Sequence, residues 1–167
     1  KCQTWANWGK DVFIPIDWII GGTEYAGKGW RMLVECLSEG RGISLPALSV
    51  SAAKLACRTT SAYARVRLQF RSPIAKFEGV EEVLARIVGK TYLMEASRQL
   101  TLSMLDQHVR PSVATAIVKY HLTEMMRDII NDAMDVHGGK GIMLGPTNYL
   151  MRIYQALPIS ITVEGAN

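Results

Sequence analysis

The chain has 167 residues, 49% of them hydrophobic and 20% charged, which is the size and composition of one globular domain rich in helix. Its net charge of +4 comes from 19 basic and 15 acidic side chains without a run of like charge, which fits an anionic ligand but is more typical of solvated surface; no nucleic-acid partner is expected. The three cysteines have no metal-ligand spacing and form an odd set, so neither zinc nor a disulfide framework is indicated and a cytoplasmic location is expected.

Several common functions lack their motif in this sequence. There is no GxSxG, no phosphate loop of the GxxxxGK[ST] kind and no HExxH. The longest apolar stretch, Val12 to Ile20, contains Pro15 and Asp17 and is about half the roughly 20 residues that a membrane-spanning helix needs. The usual hydrolases, nucleotidases and zinc proteases are therefore not indicated, and neither is a transmembrane segment.

The first predicted element is a β-strand. Residues Asp11 to Ile20 are β-branched and aromatic, Pro15 favours an edge strand, and Gly21-Gly22 ends the run. We interpret residues 1–22 as the tail of a preceding β-domain. Residues 23–167 are predicted to be a helical domain, incomplete at its C-terminus, in an internal piece of a longer protein.

Three long helices are predicted after Gly27. The first is kinked by Pro46 and continues from Ser49 to Phe70 with small side chains on one face; the second runs from Val80 to about Asp106. The third starts near Pro111 and ends at Gly138, a natural C-terminal cap. Short connections between long helices predict an all-α fold, an antiparallel helical bundle preceded by one β-strand.

The last residues form the most informative segment. Ile159, Ile161 and Val163 alternate with polar residues, which favours an extended arm, and the run stops at Glu164-Gly165. A carboxylate desolvated there could serve as a general base for a weakly acidic C–H group. A solvated glutamate in a turn is the alternative interpretation.

Two further patterns are weak when taken singly. The glycine turn HGGKG at residues 137–141 leaves backbone amides open to a phosphate or a flat cofactor, although glycines after a helix are usually only a cap. Near the end of the predicted first helix, Arg67 and Phe70 offer a guanidinium and an aromatic ring that could hold a pyrophosphate and pack an adenine.

Taken together and in order, these motifs resemble a known family. The segments YARVRLQFRSPIAKFEGVEEVLARI, DAMDVHGGKGIM and ITVEGAN resemble the C-terminal helical domain of the acyl-CoA dehydrogenases, and VFIPIDWIIGG is similar to the exit from that family's middle β-domain. Within the family, GKGWRMLVECLSEGRGISLP and AIVKYH resemble the large bacterial long-chain branch.

The resemblance implies a role for each matching residue. Glu164 would be the base that removes the α-proton of an acyl-CoA while the β-hydrogen leaves as hydride to FAD, giving the trans-2-enoyl-CoA. Substrate-side positions would be Arg41 and Gly165, and no metal is implied. The positions that would contact FAD, partly that of a neighbouring subunit, are Arg67, Gln69, Phe70, Asp135, Gly138 and Gly139. Asp135 and Arg71 depart from the family's usual Gln and Gly.

Partners are implied in the same way. The resemblance suggests an acyl-CoA substrate, long-chain by branch, electron-transfer flavoprotein as the acceptor, and a homo-oligomer, dimer or tetramer, with flavin contacts across subunits. An acyl-CoA oxidase and a non-catalytic helical fragment that serves assembly are the alternatives, and peripheral membrane attachment is left open.

Overall fold

A computed structural model describes residues 7–109 and 111–167, so that residues 1–6 of the predicted tail lie outside the described part. In chain order, the helices and strands are α1 Gly29–Val66, β1 Leu68–Gln69, β2 Ser72–Pro73, α2 Glu78–Asp106, α3 Ser112–His137 and α4 Met151–Thr162. By backbone contacts the chain divides into two units, one ending at Glu35 and the other comprising Cys36–Asn167. The all-α prediction is confirmed, and the core and the candidate site both lie in the second unit.

Helix α1 runs without a break through Pro46. Its C-terminal half carries small side chains on the face that packs into the core, and Ala53, Ala56 and Ala64 are completely buried. Small side chains let the other helices approach closely, as the sequence predicts for residues 49–70. The helix ends at Val66, however, because the chain turns into the hairpin β1–β2 that the sequence analysis missed.

Helices α2 and α3 lie antiparallel, as the ion pairs between them show. Arg86 pairs with Asp132 at 2.8 Å and Lys90 pairs with Asp128 at 2.7 Å, so residue numbers rise along one helix as they fall along the other. Between the helices lies an apolar core to which all four contribute. Its completely buried members include Ala53, Ile87, Met94, Ile129, Ile130 and Ala133.

The sequence analysis predicts two extended segments, at residues 11–20 and 159–163, and both predictions are wrong. Residues Ile16–Trp18 form a 3-10 turn, closed by the Trp18 N–H donating to Pro15 O at 3.0 Å, and no residue from 7 to 28 is in a strand. An edge strand needs a neighbour to pair with, and the described residues supply none to this segment.

The predicted extended arm at residues 159–163 is instead the last turn of α4, and only Val163 is extended. Leu150, Leu157 and Ser160, all buried, recur at helical rather than alternating spacing. The Ser160 hydroxyl donates to Leu157 O at 2.7 Å. The β-branched residues thus pack as helix because one face of the segment has a core to cover.

Among the helices of the described residues, none has both the length and the apolar character needed to cross a bilayer.

Candidate active site

Glu164 lies in a strained turn immediately after α4. Its φ is 54°, a left-handed conformation that a non-glycine residue adopts at a cost, and Gly165 follows with a φ of 90°. The turn is closed by the Asn167 N–H, which donates to Ile161 O at 3.1 Å. The backbone of Glu164 is therefore part of a closed turn at the end of the helix instead of an extended arm.

Arg41 of α1 lies beside this turn. A methyl group placed on Gly165 would be 3.2 Å from Arg41 Nη1, so the guanidinium packs directly against that glycine. Two buried polar atoms, Arg41 Nε and Glu164 Oε2, have no hydrogen-bond partner among the residues that the structure describes. Buried polar groups are normally paired, so unpaired atoms on Glu164 and on the arginine that packs against the next residue indicate a place for a polar ligand. The structure brings together three predicted site residues here: Arg41, Glu164 and Gly165.

Lys119 contacts the Glu164 turn, which the sequence analysis did not predict. This side chain of α3 is completely buried, and its Nζ donates to Ile161 O and Gly165 O, both at 2.8 Å, and to Asn167 Oδ1 at 2.6 Å. Burial lowers the pKa of Lys119, the positive charge of Arg41 lowers it further, and the carboxylates of Glu164 and Glu124 act in the opposite direction. All three protons of the Lys119 ammonium are donated in hydrogen bonds, so its positive charge has a fixed position beside the Glu164 turn.

A second group of predicted site residues lies on the hairpin β1–β2. The hairpin pairs Leu68 with Pro73 and Gln69 with Ser72, and its two-residue turn has positive φ at Phe70 and at Arg71, 50° and 64°. Such a turn normally selects Asn or Gly, so a phenylalanine there is unusual. The Phe70 ring is 92% exposed. Arg67 and Gln69 are exposed too, so the hairpin presents all three side chains outward.

The third group surrounds the C-terminal end of α3. Gly138 caps the helix with a φ of 55°, and both Gly138 and Gly139 are open, since a methyl placed on either would meet no other described atom within 4 Å. Asp135 and Gly138 line a surface groove of about 620 Å³, together with Met151 and Tyr154 of α4. The glycine turn therefore offers an accessible backbone surface beside a groove.

The second and third groups lie at the same end of the bundle. The ring of Tyr63, on α1 just before the hairpin, stacks on His137 with 4.2 Å between ring centroids. His137 Nε2 lies 2.7 Å from the Tyr149 hydroxyl and its Nδ1 lies 2.8 Å from Ala133 O. Burial lowers the pKa of His137, which favours the neutral ring in this packing.

The Glu164 turn lies at the opposite end of α3. Lys119, which contacts the turn, precedes His137 by eighteen positions in one continuous helix, about 27 Å at 1.5 Å per residue. One protomer thus carries the predicted base at one end of the bundle and the predicted cofactor contacts at the other.

The helical bundle thus carries a strained carboxylate turn beside an arginine and, at its other end, an open glycine turn. Residues 27–167 match the family model described as "Acyl-CoA dehydrogenase, C-terminal domain". The chain therefore belongs to the acyl-CoA dehydrogenase family, as the motifs predict.

Curated relatives are consistent with this. A probable acyl-CoA dehydrogenase of Bacillus subtilis, YngJ, is 33% identical over 137 residues, 80% of this chain and 34% of that protein. Acryloyl-CoA reductase (NADH) of Anaerotignum propionicum is 29% identical over 159 residues, 95% of this chain and 39% of the relative. "Protein HemX" of Proteus mirabilis is 65% identical, but over only 54 residues, 32% of each chain, too short a match to assign a function. The chain spans about a third of the length of these relatives.

Solved structures agree on the fold. An acyl-CoA dehydrogenase from Geobacillus kaustophilus matches with a TM-score of 0.79 and 25% identity, covering 84% of this chain and 36% of that one. An acyl-CoA dehydrogenase from Bacillus anthracis, solved in complex with FAD, matches with a TM-score of 0.67 and 25% identity over 78% of this chain and 25% of that one. FAD is thereby confirmed as a cofactor of the family, and the exposed Phe70 and the open glycine turn fit a flat dinucleotide.

Proposed function

We propose that this chain is the C-terminal helical domain of an FAD-dependent acyl-CoA dehydrogenase and that Glu164 is its catalytic base. The observation that carries the proposal is the pair of buried, unpaired polar atoms, Arg41 Nε and Glu164 Oε2, at a strained turn. Strain and unsatisfied polar atoms both persist at functional sites because a ligand uses them.

The proposed chemistry is α,β-dehydrogenation of an acyl-CoA thioester. The bound FAD supplies the hydride acceptor. Glu164 takes the substrate's α-proton onto Oε2, the oxygen that no donor of the described chain occupies. The fixed turn holds this carboxylate, and its backbone N–H donates a hydrogen bond to the thioester oxygen, which becomes more negative as the proton leaves. Arg41 compensates the carboxylate's charge from the side of Gly165.

The predicted FAD contacts serve the cofactor of a neighbouring subunit in this proposal. Within one protomer the hairpin and the glycine turn lie at the other end of the bundle from Glu164, about 27 Å away along α3. The end of the bundle that carries Glu164 would belong to the chain's own active site, and the opposite end would contact the FAD of the neighbouring subunit. This arrangement supports a homo-oligomer, dimer or tetramer, as part of the proposal, and electron-transfer flavoprotein as the acceptor is proposed by family resemblance.

The substrate is proposed to be a long-chain acyl-CoA in the first step of fatty-acid β-oxidation, supported only by the resemblance of residues 27–46 and 116–121 to the long-chain branch. A cytoplasmic location is proposed from the cysteine pattern, an odd set of three without metal-ligand spacing. An acyl-CoA oxidase, in which oxygen replaces the protein acceptor, is the second candidate, since the helical domain is also similar to a prolyl acyl carrier protein oxidase, with a TM-score of 0.76.

The test uses the complete polypeptide in which this chain occurs, purified with FAD. Butyryl-, octanoyl- and palmitoyl-CoA are offered with an artificial electron acceptor under argon, and again with oxygen alone. We expect turnover with the acceptor, highest kcat/KM with palmitoyl-CoA, and little turnover with oxygen. Hydrogen peroxide formation at a comparable rate would support the oxidase instead, and a preference for butyryl-CoA would contradict the long-chain assignment.

A further inference from the structure

Lys119 is an unusual residue for the interior of a helical bundle. Its side chain is completely buried, and an amine is buried in a protein only when its charge is compensated. The compensation consists of three oxygens, Ile161 O, Gly165 O and Asn167 Oδ1, at 2.6–2.8 Å. An ammonium has three protons, so this donor is fully used.

All three acceptors belong to the segment that carries Glu164. Ile161 lies in the last turn of α4, where carbonyl oxygens lack helical partners and carry partial negative charge. Gly165 directly follows the glutamate, and Asn167 closes the turn through its own backbone N–H. One buried cation therefore holds the turn on both sides of Glu164.

The same segment has a second attachment to α3. The Asn167 side-chain amide donates to Thr123 Oγ1 and to Glu124 Oε1, both at 3.0 Å. Thr123 and Glu124 follow Lys119 by four and five positions, within about one and a half turns of α3. The turn is thus anchored to a rigid helix by polar contacts, with Asn167 as the link.

We propose that Lys119 is a positioning residue for Glu164, which it holds in its left-handed conformation through Ile161 O, Gly165 O and Asn167 Oδ1. This role rests on the proposed function, in which Glu164 is the catalytic base. Lys119 itself touches no reacting atom. Without the ammonium, the three oxygens lose their common donor, and the strained φ of Glu164 relaxes toward an ordinary turn.

The test compares the wild-type complete polypeptide with Lys119→Met, which keeps the length of the side chain and removes the charge. Lys90→Met is the matched control, because Lys90 makes one exposed ion pair with Asp128 of α3 far from the turn. Hydrogen–deuterium exchange of the peptide covering residues 159–167 is the first readout. We expect exchange there to become at least about tenfold faster in Lys119→Met and to stay unchanged in Lys90→Met.

The second readout is a separation of kcat from KM. A displaced base should lower kcat about a hundredfold, with FAD content and the KM for acyl-CoA nearly unchanged. Unchanged exchange of residues 159–167 in Lys119→Met would overturn the proposal. Equally faster exchange in α2 and α3 would also overturn it, since Lys119 would then only stabilise the fold.

If Lys119→Met does not fold, the same exchange measurement is made on a second variant, Asn167→Ala. This variant removes one of the three acceptors and the link to Thr123 and Glu124, at an exposed residue. We expect about fivefold faster exchange confined to residues 159–167. Unchanged exchange would overturn the proposal. The exchange readout does not depend on turnover, so a wild-type protein that failed to oxidise acyl-CoA would refute the proposed function without altering this result.

Discussion

Gly42 lies where α1 contacts α3, close to the Glu164 turn. A methyl group placed on Gly42 would come within 2.8 Å of Thr115 Cβ and would overlap its Cγ2. Thr115 is 3% exposed, and its hydroxyl donates to Ser112 O at 2.9 Å. A different rotamer of this buried, β-branched side chain would have to give up the hydrogen bond to Ser112 O or find another carbonyl of the helix. Gly42→Ala should therefore force the two helices apart.

Gly40 is the matched control for this substitution. It lies two positions earlier in α1, and within the described residues a methyl placed there would meet no atom within 4 Å. Both substitutions gain helix propensity, about 1 kcal/mol each, so that this contribution cancels in the difference between the variants. Overpacking costs about 1–3 kcal/mol, which is the expected difference in the free energy of unfolding between Gly40→Ala and Gly42→Ala.

Urea unfolding followed by circular dichroism measures this difference. We expect Gly40→Ala to be about 1 kcal/mol more stable than wild type and Gly42→Ala to be less stable than Gly40→Ala by about 1–3 kcal/mol. Adding Thr115→Ser to Gly42→Ala removes Cγ2, keeps the hydroxyl and should restore part of the loss. Equal stabilisation by both alanines would refute the close packing of α1 on α3.

Three other predictions concern stability and assembly. Burial holds the pKa of His137 below its ordinary 6.5, so the unfolded chain binds the proton more readily than the folded chain. The contribution of His137 to stability should therefore be fully present above pH 6.5 and be lost as the pH falls through the folded pKa. Urea midpoints measured at pH 8 and pH 5.5 should show this dependence in wild type and not in His137→Gln. Arg71→Gly, at a φ of 64°, should raise stability by roughly 0.5–1 kcal/mol in thermal unfolding, and an equal gain in Arg71→Ala would show that strain is not the cause. The chain on its own should self-associate in sedimentation velocity through exposed apolar side chains such as Phe70 and Tyr92, and a monomer at every concentration would contradict this.

The three long helices were predictable in their order, and the signal is clearest in α3, whose apolar residues lie on one side and whose ends are marked by Pro111 and Gly138. Gly138 caps α3 as predicted, and α2 begins at Glu78, two residues before the predicted start. Segments whose conformation depends on a partner were not predictable. Residues 159–163 alternate like a strand, yet residues 159–162 are helical because Leu157 and Ser160 face the core.

The candidate residues of the site were predictable from the sequence, but the contacts that hold the Glu164 turn were not. The motif points to Glu164, whereas the buried lysine that holds its turn belongs to another helix, 42 to 48 positions away from its acceptors in the sequence. A signal existed nevertheless. The buried stripe of α3 steps by four and three through Thr115, Lys119, Leu122, Met126, Ile129 and Ala133. A lysine at a core position of that stripe has to find acceptors inside the protein.

The central claim is that Glu164 is the catalytic base, and stopped-flow spectroscopy of the flavin tests it most directly. The FAD-loaded complete polypeptide, its Glu164→Gln variant and the control Glu81→Gln, on the exposed start of α2, are mixed anaerobically with a long-chain acyl-CoA. We predict bleaching of the oxidised-flavin band in wild type and control, and a rate about 10²- to 10⁴-fold lower in Glu164→Gln with FAD still bound. Bleaching at the same rate in all three proteins would contradict the assignment of Glu164.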